Sequence, residues 1–159
     1  MATETKLRQL ADKGCPVYYF YSSERYLVRQ AVAAATRILT ADSDEDATVL
    51  DGAAPEIEQL IMAAGTISFF GTRRVVVLPE IDPAAYSDKD LEELNSTLSS
   101  LENAVVVLGS VFELERSKLK TGKRAQKLIA QCKALGYTEE LAKPKPFELK
   151  MMMIDRAKE

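Results

Sequence analysis

Ser117-Lys118-Leu119-Lys120-Thr121-Gly122-Lys123-Arg124 has the outline of a phosphate-binding loop, with Gly-Lys in the sixth and seventh places. Such a loop needs glycines that expose backbone N–H groups to the phosphates, then Lys and a Ser or Thr for phosphate and magnesium. Here Ser117 replaces the first glycine and Arg124 replaces the final Ser/Thr. A phosphate loop also follows the first strand, where this chain has Tyr21-Ser22-Ser23-Glu24-Arg25, without glycine or lysine. The resemblance to a phosphate loop is therefore accidental. Val77-Leu78-Pro79-Glu80-Ile81-Asp82 is like the acidic strand end of an ATPase, but without a phosphate loop it has no metal–phosphate to hold.

Other catalytic groups are equally sparse. The sequence has no histidine, which removes the commonest general base and metal ligand. No Gly-x-Ser-x-Gly elbow is present for a serine nucleophile. Cys15 and Cys132 lie far apart and have no histidine to activate them; they read as small apolar fillers in a reducing compartment. Asp51 ends a strand and could mimic a phospho-acceptor, but Asp51-Gly52 reads more simply as a turn. The expectation is a chain with no catalytic residues, no metal and no cofactor.

Two stretches could bind. In Gly65-Thr66-Ile67-Ser68-Phe69-Phe70-Gly71, a helix ends at Gly65 and a strand begins near Arg73. Such a connection runs over the surface. Ile67, Phe69 and Phe70, beside Ser68, would form an apolar tip rimmed by Thr72-Arg73-Arg74, the makings of an interface anchor. The competing reading folds one or both rings inward. The second stretch is basic: Arg116, Lys118, Lys120, Lys123, Arg124 and Lys127. Read as a helix, it could touch nucleic-acid phosphates through Lys118, Lys120, Lys123 and Arg124, or be a solvated face. No aromatic is interleaved for base stacking.

The elements that must position these stretches are legible in the apolar pattern. Leu7 and Leu10 mark a short opening helix closed near Gly14, and Val17–Tyr21 a buried strand. Ser22-Ser23-Glu24 can cap a helix with its stripe at Leu27, Ala31, Ala34 and Ile38. An acidic loop at 42–46 leads to a strand, Thr48–Leu50. Pro55 starts a helix whose buried stripe is Ile57, Leu60, Ile61 and Ala64. Val75–Leu78 and Ala104–Gly109 lack polar alternation, so both their faces should be covered. Leu91, Leu94, Leu98 and Leu101 mark a helix between them. Leu119, Ala125, Leu128, Ile129, Cys132 and Leu135 mark another, before a strand near Tyr137–Glu139.

This alternation predicts an α/β fold of three layers, a mostly parallel sheet with helices on both faces. The chain of 159 residues, 47% apolar and 28% charged, suits one domain over 1–142. Lys143-Pro144-Lys145-Pro146 then reads as a linker, and Phe147, Met151 and Ile154 begin a further helix. Residues 143–159 are expected to be the linker and start of a following helical domain, or a helix folded back on the sheet. The net charge of −3 argues against a wholly nucleic-acid- or membrane-coating surface. No signal peptide or membrane-length apolar run is evident, and a cytoplasmic location is expected.

The same residues resemble the N-terminal domain of the delta-subunit family of the bacterial DNA polymerase III clamp loader. Pro16–Tyr21 with Glu24 and Tyr26-Leu27-Val28, Val49–Gly52, Phe112–Lys118 and Ile154–Lys158 are similar to it. The most specific match is Thr66–Val77, with its loop, paired apolar residues, basic residues and apolar strand. Ser22 and Ser68 depart from the family, where glycine and proline are frequent, and the region near Thr121-Gly122 diverges. The resemblance implies a P-loop-ATPase-like fold without a phosphate loop. It implies a non-catalytic role in DNA replication within a DNA polymerase holoenzyme. Ile67, Ser68, Phe69 and Phe70 would contact the ring-shaped sliding clamp (the beta subunit) and help hold it open. Further partners would be the delta-prime and tau/gamma subunits, with DNA met indirectly.

Overall fold

A computed structural model describes residues 4–41, 46–65 and 73–142. The elements are α1 (Glu4–Asp12), β1 (Val17–Ser22), α2 (Arg25–Thr40), β2 (Thr48–Val49), α3 (Ile57–Gly65) and β3 (Arg74–Leu78). They continue through a 3₁₀ turn at Pro83–Ala85, α4 (Asp88–Ser99), β4 (Ala104–Val111), β5 (Leu114–Glu115), β6 (Lys118–Leu119), α5 (Gly122–Leu135) and β7 (Tyr137–Glu140).

Five strands form one sheet in the order β2-β3-β4-β1-β7, and every pairing in it is parallel. Parallel neighbours need crossover connections, and the intervening helices supply them. Because side chains alternate along a strand, the sheet feeds two cores. Tyr18, Phe20, Val75, Val77, Val105 and Val107 face one side, with Leu7 of α1 and Val28, Ala31, Val32 and Ala35 of α2. Val17, Tyr19, Val76, Leu78, Val106 and Leu108 face the other, against α3, α4 and α5. The fold class expected from the sequence, three layers around a mostly parallel sheet, is the one present.

Two close backbone approaches hold the layers in place. Gly109 of β4 pairs with Phe20, and the turn after β3 crosses over it: Ile81 N–H donates to the Gly109 carbonyl at 2.8 Å. A Cβ on Gly109 would lie 2.4 Å from the Pro79 carbonyl oxygen. At Gly136 it would lie 2.1 Å from the Val17 carbonyl oxygen, where α5 turns into β7.

Several sequence expectations shift in the folded chain. The stripe of α2 centres on Val28, Ala31, Val32 and Ala35, leaving Leu27, Ala34 and Ile38 half-buried. Ile61 is not part of the buried stripe of α3; it is 51% exposed, beside Met62 at 72%. Leu119 belongs to a two-stranded antiparallel hairpin, β5-β6, rather than to α5. Its turn residues Arg116 and Ser117 have φ of 51° and 68°, so the hairpin lacks the Asn-Gly or Asp-Gly signature that would announce it. Residues 42–45 of the acidic loop, the linker Lys143–Pro146 and the helix expected around Phe147, Met151 and Ile154 lie outside the described residues.

Candidate binding surfaces

Parallel strands give the sheet two chemically different edges, and the two candidate binding stretches divide between them. The expected anchor residues Ile67, Ser68, Phe69 and Phe70 lie outside the described residues. Their attachment points do not. α3 ends at Gly65 and β3 starts at Arg74, which places the attachment points at the edge where the strands begin.

At this edge Arg73 does not simply rim a patch. Its guanidinium donates to the Gly14 carbonyl at 3.1 Å and the Ala104 carbonyl at 3.5 Å, tying the strand start to the α1–β1 turn and to β4. The backbone N–H of Arg74 donates to the Asn103 carbonyl at 2.8 Å. Next to Gly65, α3 and α4 enclose a groove of about 550 Å³ lined by Ile61, Ala64, Ser96, Thr97, Ser100 and Leu101, among others. Ile61 and Met62 were missed by sequence reasoning as surface residues. Helical spacing gives the signal for Met62, which falls off the Ile57, Leu60, Ala64 stripe.

The opposite edge carries the basic stretch. The structure breaks it into parts: Arg116 and Lys118 on the β5-β6 hairpin, Lys120 in the connection, and Lys123, Arg124 and Lys127 on α5. Lys118, Lys120 and Lys123 are exposed. Arg124 is engaged: its Nε meets Asp88 Oδ1 at 3.0 Å and its Nη1 donates to the Ala84 carbonyl at 3.4 Å. Glu115 sits opposite Lys118 in the hairpin register, and Lys120 N–H donates to the Glu113 carbonyl. Interleaved carboxylates weaken the field that a phosphate backbone would meet.

The same edge holds the cleft where open α/β sheets usually take ligands, outside the carboxyl ends of the strands. It measures about 780 Å³ and includes Glu24, Arg25, Glu80, Asp82, Glu113 and Lys120 in its lining. The β1–α2 turn is closed by side chains instead of glycines. Buried Ser22 accepts a hydrogen bond from the Glu24 N–H at 3.1 Å, and Glu24 caps α2 with no side-chain bond to the helix. The capping role expected of this segment is thus a turn-fixing one. Arg25 pairs with Glu80 across the cleft mouth. Glu24 stands at the start of α2, where its negative charge opposes the phosphate that a helix N-terminus would otherwise attract.

Both described cysteines and five of the tyrosines are held towards their neutral forms. Burial pushes the Cys132 thiol up to about 12 and the Tyr86 phenol, next to the Asp90 charge, up to about 12. Burial also raises Cys15, Tyr18, Tyr19, Tyr21 and Tyr137 above their ordinary values. Among the described residues, no three His, Cys, Asp or Glu side chains are grouped to hold a metal ion. No described helix is long and apolar enough to cross a membrane.

No protein-family model matches the sequence, and no curated protein matches it. Among solved structures, the chain is similar to a DNA polymerase III, gamma subunit-related protein from Thermotoga maritima, with a TM-score of 0.63 at 15% identity. The two chains share a fold. The match covers 92% of this chain and 48% of that one, so this chain spans about half the length of its structural neighbour.

Proposed function

We propose that this chain is the clamp-loader-type domain of a replication subunit that binds the DNA sliding clamp through Ile67, Ser68, Phe69 and Phe70 and has no nucleotide chemistry of its own. The observation that carries the proposal is the combination of fold and altered cleft. The chain has the architecture of a DNA polymerase III subunit-related protein, yet Ser22, Glu24 and the Arg25–Glu80 pair stand where a phosphate loop would sit. A domain of that architecture without phosphate-binding groups is left with a binding role. The flanking residues of the apolar Ile67–Phe70 segment, Gly65 and Arg73, lie where the strands begin, opposite the cleft. The delta-like assignment within the loader and the partners delta-prime and tau/gamma rest on the resemblance of Thr66–Val77. On the same reading, residues 143–159 lead into a further domain.

Burying two phenylalanine rings in a partner pocket contributes about 3–6 kcal/mol before association costs. Titration calorimetry of the chain against the sliding clamp of the same organism tests the reading. Wild type binds, and Phe69→Ala with Phe70→Ala abolishes binding while leaving the melting temperature unchanged. Normal binding by the double variant refutes the site, and its unfolding places the rings in the core.

A further inference from the structure

We infer that the outer face of α2 is a contact for single-stranded nucleic acid, with Tyr26 as the platform on which a base stacks and Arg25 and Arg29 as the phosphate contacts. This contact is independent of the proposed clamp binding.

α2 divides sharply by depth. Val28, Ala31, Val32 and Ala35 pack on the sheet, while Arg25, Tyr26, Arg29, Gln30, Ala33 and Arg37 are exposed. Its 16 residues include three arginines and no carboxylate. On the other side of the sheet, α4 has four carboxylates and one lysine. The net charge of −3 thus conceals a basic side: residues 4–40 carry six basic side chains against three carboxylates.

Tyr26 stands out on this face because burial does not account for it. It is 67% exposed and lies between Arg25 and Arg29. Gln30, one turn further on, donates from Nε2 to Tyr26 Oη at 2.7 Å, which steadies the phenol end and leaves most of the ring in solvent. Arg29 is also one turn from Tyr26, and among the described residues it makes no ion pair or hydrogen bond. Arg25 and Arg37 pair with Glu80 and Glu4, but all four side chains are well exposed, so these pairs are weak and can yield to phosphate. α5 is equally free of carboxylates, yet it has no aromatic beside Lys123, Arg124 and Lys127, and Asp88 holds Arg124. Cations alone attract any polyanion. Two arginines bracketing an exposed ring suit unstacked bases on a phosphate chain. A duplex hides its base faces from such a ring, so the ligand that fits is a single strand.

Fluorescence anisotropy of the full chain with a labelled oligothymidylate, which does not pair with itself, tests the contact over a range of salt. Wild type should bind with log K falling by about 1.4 per decade of salt, for two phosphates neutralised. Tyr26→Ala should weaken binding roughly tenfold without changing that slope, and Tyr26→Phe should bind like wild type. Arg29→Ala should reduce the slope by about 0.7. All three side-chain changes lie on an exposed face, so melting temperatures should not move. Wild type that fails to bind, or Tyr26→Ala that binds within twofold of wild type, overturns the assignment. A fall in the melting temperature of Tyr26→Ala overturns the ring's role by making it structural. Equal competition by a duplex or by polyglutamate reduces the face to a general attractor of polyanions and also overturns it. Loss of binding on replacing Lys118, Lys120 and Lys123 moves the contact to the hairpin and α5. Clamp affinity is a separate measurement, so failure of either reading leaves the other standing.

Discussion

Replacing Gly109 by alanine tests the packing that joins the sheet to its ligand-side turn. The added methyl would sit 2.4 Å from the Pro79 carbonyl oxygen, 2.8 Å from Val28 Cγ1 and 3.0 Å from Val32 Cγ2. The two valines could give by a few tenths of an ångström. The carbonyl cannot, because the same turn is held by the Ile81 N–H bond to the Gly109 carbonyl and by Ser110 Oγ donating to the Ile81 carbonyl at 2.8 Å. Relief therefore requires moving the turn off β4 or α2 off the sheet. Overpacking a core by one methyl costs about 1–3 kcal/mol, and a backbone clash places Gly109→Ala near 3. That corresponds to roughly 6–12 °C in melting temperature for a domain of this size. Urea denaturation gives the number directly, with an unchanged m-value showing that the unfolded state is not the cause. Gly65→Ala is the control: nothing lies within 4 Å of its Cβ and its φ is not positive, so it should be neutral or slightly stabilising. A Gly109→Ala variant within about 0.5 kcal/mol of wild type would refute the close crossing of this turn.

Other expectations follow from the buried polar and titrating groups. Ser110 Oγ gives its proton to the Ile81 carbonyl and therefore accepts from Tyr19 Oη at 2.7 Å. Tyr19→Phe should cost about 1 kcal/mol, and Ser110→Ala roughly twice that, since it strands two buried partners; chemical denaturation of the pair checks the ratio. Cys132 is pushed from 9.0 up to about 12 by burial, so the folded chain keeps a proton that the unfolded chain releases. Its stabilising effect is complete below pH 9 and is lost as pH rises towards 12, about 2 kcal/mol by pH 10.5. Urea midpoints measured from pH 8 to 11 should fall, less steeply for Cys132→Ala; a flat profile would contradict the burial. On the proposed clamp-binding function, replacing Lys118, Lys120 and Lys123 together by alanine should leave clamp affinity unaltered. If the nucleic-acid reading held instead, the wild-type chain would bind DNA with a steep salt dependence and this variant would flatten its slope by about three.

The order of elements was open to reading because apolar patterning reports burial directly. Val75–Leu78 and Ala104–Gly109 have no polar positions, and both proved buried on two faces. The missing phosphate loop and the absent histidines were likewise matters of residue type alone. Tertiary structure decided what periodicity leaves degenerate. Ile61 fits a helical stripe as well as Ala64 does, and only the position of α3 against β3 and α4 turns it outward. The β5-β6 hairpin carries Arg116 and Ser117 at positive φ without glycine, so local chemistry gave no sign of it. The basic stretch looks continuous along the chain, but the hairpin divides it and Asp88, 36 residues earlier than Arg124, reaches across to claim one cation. The parallel direction of every strand of the sheet set the Gly65 and Arg73 attachment points where the strands begin, opposite the cleft. A sequence can show which side chains are available for binding, but which of them share an edge is fixed by long-range pairing and packing.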